Sequence, residues 1–529
     1  MNRVASLLLG VGLAFPVLLK AGVDTAWVRR YDGPAHLGDY ATCIAVDSQG
    51  NVVVAGVTAG ADSTPDWVTI KYSSTGDSLW ADRRSFTGNG KPLGMGVDTA
   101  DNVYVTGYQN TQAVTIKYSP TGQLLWESRL PSESYAKDLA LDAAGNVLIC
   151  GSALNSSYDF MAVKYRSNGD TAWVRYYDWL GDLDDARALA VGEDGSVVVT
   201  GPGYGNGTGD DYLTVKYDSS GNRQWAATYH GPAGPDTPVD IVVAGEGDVF
   251  VSGNSEGATS SWDYLTVKYS PSGDTLWARR FNGAANGDDE AEALAVDAVG
   301  SAAVTGYAQF EAGNRDYATV RYDSAGNQVW VARYDGPASG LDHAYAIGVD
   351  QVGNAYVTGG VRVQQLASGC VTIKYDYNGD TVWVATYVAP PSTPNYGTAI
   401  ALGTDGCVYV AGTYDSDILV IKYVQSGGVT ETRGTPVVSG VSLVAEPSVF
   451  RSRTALHLCV DKPAAVQVAV YDAEGRRVQT LTSGLNGIGA TTVTWDGCDE
   501  RGVRLSQGVY ILVLDAGGQS ARVKVVMSE

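Results

Sequence analysis

The sequence predicts an all-β chain: an eight-bladed β-propeller of four-stranded blades, followed by a small C-terminal β-sandwich. Three observations predict it. Tryptophan recurs as Trp27, Trp80, Trp126, Trp173, Trp225, Trp277, Trp330 and Trp383, with spacings of 53, 46, 47, 52, 52, 53 and 53. A basic-Tyr pair keeps the same beat, from Lys71-Tyr72 through Arg321-Tyr322 to Lys422-Tyr423. Glycine is abundant, 65 of 529 residues, and no helical period competes with the short apolar runs. A period near 50 marks a repeat architecture.

Within the first unit the runs are 43–46, 51–55, 67–72 and 79–84. The joints carry Gly, Asp, Asn and Ser, the residues that turn a chain. Four strands per unit, repeated radially, make a propeller. There are eight first, second and third strands, but only seven Trp strands that follow a third strand. The eighth, Ala26 to Tyr31, stands before any first strand, and the last unit stops at Tyr423 without one. The N-terminal strand is therefore expected to complete the last blade and close the ring, removing its edges.

Ahead of the propeller, Asn2-Arg3 gives a positive start and Val4 to Leu19 is uncharged and mainly apolar. A membrane span needs about 20 such residues, so this shorter stretch reads as a signal peptide ending near residue 21. No later segment is apolar enough to span, which predicts a secreted or surface-exposed bacterial protein. The charge balance, 36 basic against 58 acidic residues for a net −22, repels phosphate backbones and argues against nucleic acid as a partner.

The phrase running from Ala45 through Asp47, Gly50 and Asn51 to Gly56, followed by Asp-aromatic-x-Thr-Ile/Val-Lys-Tyr, resembles the bacterial SBBP-type β-propeller repeat. That family is nominally seven-bladed, against the eight counted here, and the resemblance implies an extracellular scaffold. Residues 424–439 read as a linker. In 440–529, Trp495-Asp496-Gly497, Asp499, Gly502 and Gly508-Val509-Tyr510 resemble the FlgD-like Ig-type fold. The same phrases, with Val470-Tyr471-Asp472, are similar to the C-terminal sorting domain of type IX secretion clients, which implies contact with secretion machinery. The extreme end, Val525 to Glu529, lacks that family's basic finish.

Gly-x-x-x-Trp, from Gly76-Trp80 to Gly379-Trp383, resembles the tryptophan-docking phrase of eight-bladed quinone-dependent dehydrogenases. Their cofactor pocket uses adjacent cysteines, and no two of the six Cys here are neighbours. The repeated Trp are read as structural, buried between blades. The repeated Lys, such as Lys216 and Lys268, reads as a packed stem with its ammonium paired to a carboxylate. Cys43, Cys150, Cys370 and Cys407 read as strand substitutions, while Cys459 and Cys498 share the tail and could pair.

No catalytic constellation, phosphate loop or His-based metal cluster emerges, and no catalytic, cofactor-binding or metal-binding residue is assigned. Loops from strand one to two and three to four are short and uniform. Those from two to three, and from four to the next blade, vary and emerge on the opposite face. Function on a repeat scaffold sits on its variable loops. That face offers Trp179, Asp182, Asp184, Asp185, Tyr204, Trp262, Asp288, Asp289, Glu290 and Tyr307. Aromatic faces beside carboxylates suit sugar stacking or calcium-bridged contacts, although no Asp-x-Asp-x-Asp-Gly loop is present. The expectation is a non-enzymatic scaffold recognising a glycan or surface protein. A polysaccharide-acting hydrolase or lyase, or a purely structural envelope component, are the alternatives.

Overall fold

The structure, a computed structural model, describes residues 22–426 and 441–527 apart from segments at 61–63, 86–87, 132, 156, 206–208, 312, 339, 365–366, 390–392, 447–448, 451–453, 473–475 and 517–518. The expected signal peptide and the centre of the expected linker lie outside the described residues. The chain divides into two compact units, 1–428 and 429–529.

The first unit is eight four-stranded antiparallel sheets, the blades of a propeller. Blade 1 comprises Tyr40–Val46, Val52–Ala59, Pro65–Tyr72 and Ser78–Arg84. Blades 2 to 7 span 90–129, 134–177, 188–229, 236–281, 290–334 and 343–388. Blade 8 joins Asn395–Leu402, Val408–Tyr414 and Asp417–Ser426 to Gly22–Tyr31 at its outer edge. That closure runs in register from Gly22 opposite Ser426 to Tyr31 opposite Ile418.

Burial explains the strand chemistry. Second and third strands lie between neighbouring blades and are apolar on both faces, as in Val52–Ala59, buried nearly throughout. Outer strands such as Ser78–Arg84 face solvent on one side and alternate. Buried Thr pairs, among them Thr200 with Thr214 and Thr305 with Thr319, bond across strands two and three. First strands carry a repeated β-bulge, for example at Thr42, Glu292 and Tyr345.

The repeated residues join one blade to the next. Trp225 Nε1 donates to Pro271 O of the following blade at 2.9 Å, and Trp277 to Ser324 O at 3.2 Å. The same relation holds for Trp27, Trp80, Trp126, Trp173 and Trp330. The glycine of each Gly-x-x-x-Trp turn lies flat against the preceding blade's indole. Gly273 has φ of +92°, and a Cβ there would sit 2.7 Å from the Trp225 ring. The strand-three lysine reaches that same turn carbonyl: Lys71 donates to Pro120 O at 3.3 Å while pairing with Asp47 at 2.8 Å. Blade 8 has no turn between its third and fourth strands, since the N-terminus supplies the fourth. Among the described residues Trp383 Nε1 is buried without a partner, and Lys374 bonds Gln425 Oε1 at 2.6 Å.

The second unit is a six-stranded sheet whose core gathers Leu456, Val468, Val470, Trp495, Tyr510, Leu512 and Leu514. Two of its strands, Thr454–Tyr471 and Arg477–Trp495, are long. Register shifts along their pairing let them bend without breaking. Cys498 carries a free thiol, so it is not paired with Cys459.

Candidate functional site

On the variable face, blades 6, 7 and 8 enclose a cavity of about 450 Å³ lined by Tyr307, Arg315, Asp342, His343, Tyr345, Arg362, Ser368 and Tyr396, among others. Its origin is local. At one register of strand two, the blades carry Val57, Tyr108, Ser152, Asn254, Tyr307 and Thr413, but blade 7 carries Gly360. A Cβ at Gly360 would lie 2.8 Å from the Tyr396 Cβ. The missing side chain lets Tyr396 of blade 8 close against blade 7 at the cavity wall.

Aromatic rings form a ladder along the cavity. His343 stacks on Tyr345 at 4.2 Å and 23°, and meets the edge of Tyr307 at 4.7 Å. Tyr345 is 5.8 Å from Tyr396. The bulge at Tyr345 places an extra ring on the inner strand. His343 Nε2 lies 2.9 Å from Glu292 Oε1, which fixes the imidazole plane. Burial, followed by a hydrogen bond to Glu290, pushes the Tyr307 phenol well up, so it stays neutral.

Two guanidiniums flank the ladder. Arg315 lies over the Tyr307 ring at 4.4 Å and reaches Asp288 Oδ2 at 3.1 Å. Arg362 is exposed at the wall, and no carboxylate pairs with it among the described residues. Behind it, buried Asp342 accepts from Arg362 N at 2.8 Å and Gly336 N at 2.5 Å, shaping the loop. Such a cavity can stack a sugar ring and bind an anionic group.

The sequence candidates fall into three groups. Tyr307 lines this cavity, while Asp288 and Glu290 stand behind it, bonded to Arg315 and Tyr307. Trp179, Asp182, Asp185 and Tyr204 lie at the blade 3–4 edge, where Asp185 is taken up by Lys137 at 2.5 Å; Trp262 is half-buried at the start of a blade 5 strand. Asp184 and Asp289 correct the expectation of exposed ligand contacts. Both are fully buried loop caps, Asp184 accepting from Trp179 N at 2.5 Å and Asp289 from Gly283 N. Tyr307 is likewise almost wholly buried and offers the cavity only a ring edge. Sequence reasoning missed Arg315, Tyr345, Arg362 and Tyr396. Their signal was the departure at Gly360 from the other blades' side chains.

Two trios of carboxylates gather at blade seams, Asp32 with Asp39 and Asp417, and Asp316 with Asp335 and Asp342, each within 4.8 Å. Arg333 Nε reaches Asp316 Oδ2 at 2.5 Å and neutralises the second.

The architecture is thus that of a β-propeller with an appended Ig-like domain, and residues 449–520 match the FlgD Ig-like domain family. No curated protein matches the chain. Among solved structures it is similar to PorZ, a bacterial surface component of the type-IX secretion system of Porphyromonas gingivalis. There the identity is 15%, with 91% of this chain and 68% of that one covered, at a TM-score of 0.38. Similarity extends to a virginiamycin B lyase from Staphylococcus aureus at 11% identity, covering 76% of this chain and 99% of that one, TM-score 0.40. The Pan2 WD40 domain of Neurospora crassa gives 10%, 63% and 89%, with TM-score 0.40. At these identities and scores none of them bears on function.

Proposed function

We propose that this chain is a non-enzymatic, exported scaffold of the bacterial surface or its surroundings, which binds an acidic glycan in the blade 6–8 cavity. The observation that carries the reading is the aromatic ladder beside Arg362, a cation that pairs with no carboxylate among the described residues of a protein of net charge −22. A volume of about 450 Å³ suits a small ligand, and ligand sites run from about 300 to 1,000 Å³. Export is supported by the N-terminal apolar stretch and the FlgD Ig-like match of the tail. The SBBP-like repeat and the sorting-domain resemblance extend that proposal to the type IX route.

The test is a glycan array probed with the full chain and with Tyr345→Ala. Saturable binding to uronate- or sialate-bearing glycans that the variant loses supports the reading. Binding to neutral glycans alone, to none, or turnover of the bound polysaccharide contradicts it. Intact mass of the native protein from surface and medium fractions tests the export route. Loss of the leader and of the last ~90 residues, a span typical of a small sandwich, is expected if the tail is a sorting signal.

A further inference from the structure

The cavity lies at one end of a longer line of tyrosines around the mouth of the ring. First strands begin on the variable face, and those of neighbouring blades lie side by side. One register on them is fixed, opposite the residue that follows the repeated strand-two glycine. There blades 7, 8, 1, 2 and 3 carry His343, Tyr396, Tyr40, Lys91 and Tyr135. Blades 5 and 6 carry Thr237 and Glu290, and blade 4 enters on Asp185, which Lys137 occupies. One half of the mouth is therefore aromatic and basic, the other polar and acidic.

The rings of the first half run on from one another. Tyr345 and Tyr396 at the cavity stand 5.8 Å apart. Further round, Tyr108 meets the edge of Tyr135 at 5.3 Å and 70°, and Tyr135 lies 6.2 Å from Tyr158. Tyr40 joins the two groups. Burial first, then the neighbouring phenols of Tyr108 and Tyr396, hold its hydroxyl above the usual range, which sets it between them. Packing between blades does not need these rings. Tyr212 and Tyr264, which bond across seams, are wholly buried, whereas Tyr40 is 38% exposed and Tyr108, Tyr135, Tyr158 and Tyr396 are half-buried. Lys91 stands opposite Tyr108 and pairs with no carboxylate among the described residues. The line ends at Tyr158, whose hydroxyl reaches exposed Glu133 at 3.4 Å.

A single sugar in the cavity would use only the rings at its wall; the line continues over blades 8, 1, 2 and 3. Resting on the reading of the cavity as an acidic-glycan site, we infer that the ligand is an extended acidic polysaccharide lying across the mouth from the cavity to Tyr158. Tyr40, Tyr108 and Tyr135 supply faces and edges for successive sugar rings. Lys91 takes an anionic group partway along, as Arg362 does at the start. The acidic half of the mouth, from Asp185 to Glu290, repels the same chain and fixes its course to one side.

The probes are a uronate disaccharide and an octasaccharide of the same repeat, each titrated calorimetrically into the full chain. The octasaccharide is expected to bind at least about 30-fold tighter, beyond the few-fold that several copies of one repeat supply by number alone. Tyr135→Ala and Lys91→Ala are each expected to cut the ratio of the two affinities by about three- to tenfold, while Arg362→Ala weakens both sugars and keeps the ratio. Folding of each variant is read from its Tm, and should Tyr135→Ala fail to fold, Lys91→Ala decides. Equal affinity for the two sugars, or a ratio unchanged in a folded Tyr135→Ala or Lys91→Ala chain, overturns the extended site and leaves the cavity reading standing. Binding of neither sugar overturns both.

Discussion

Asp138 shows how much a single side chain can tell the ring's thermodynamics. Its carboxylate accepts from Leu139 N at 2.7 Å and from Leu189 N of the next blade at 2.9 Å. Desolvation pushes it up to about 7, and Asp240, in the same role between blades 5 and 6, to about 6. The unfolded carboxyl titrates near ~3.9. Between those values the folded state holds more protons than the unfolded state, so stability falls as pH rises from about 4 to about 7. Asp138→Asn is expected to flatten that decline, read as Tm against pH. An unchanged slope would mean the carboxylate is not desolvated. In the cavity, Arg362→Ala is expected to weaken an anionic ligand by roughly 10- to 100-fold, the worth of one charge-assisted hydrogen bond.

The element that builds the propeller is the docking of a turn glycine on the previous blade's indole. Gly273→Ala meets two costs: a positive φ, about 1–2 kcal/mol, and a Cβ inside the Trp225 contact, a further ~1–3 kcal/mol. Gly145 has φ of +73° but nothing within 4 Å, so Gly145→Ala meets only the first. Denaturant melts of the two variants should differ by the docking term, and equal losses would show that the indole contact contributes nothing. This level of structure was legible in sequence. The Trp period, the basic-Tyr beat and the turn glycines repeat because each blade meets its neighbour through the same contact. The cavity was not legible, because its rings, Tyr307, Tyr345 and Tyr396, come from three blades that must be aligned in space before they line one cavity. Asp184 and Asp289 misled for a related reason. Their loops look polar and variable, yet each acid turns inward to hold backbone N–H groups.

For the whole molecule, closure reuses the ordinary joint. Trp27 Nε1 donates to Ser74 O at 3.1 Å and Lys422 Nζ to the same carbonyl at 3.0 Å, as the Trp and Lys of blades 1 to 5 do at their own seams. Removing residues 22–31 uncovers the Asp417–Ser426 edge and the docking turn of blade 1 together. A bare edge pairs with other chains. Light scattering after size exclusion should therefore find oligomers of the shortened chain, and a monomer of unchanged Tm would contradict closure by the N-terminal strand. The ring gives eight near-equivalent positions, and specific chemistry lies where that equivalence breaks. At blade 7, Gly360 stands where other blades carry a side chain, and His343 and Tyr345 line a cavity beside it.

The central claim is that the blade 6–8 cavity is the recognition site. Its most direct measurement is a calorimetric titration of an acidic oligosaccharide into the full chain, into Arg362→Ala, and into a control altered on the uniform face, Gln224→Ala. The account predicts saturable one-site binding that the control keeps and Arg362→Ala weakens at least about tenfold, the loss of roughly 1.4 kcal/mol or more, with Tm unchanged. Equal binding by all three chains, or binding lost only in the control, would contradict it.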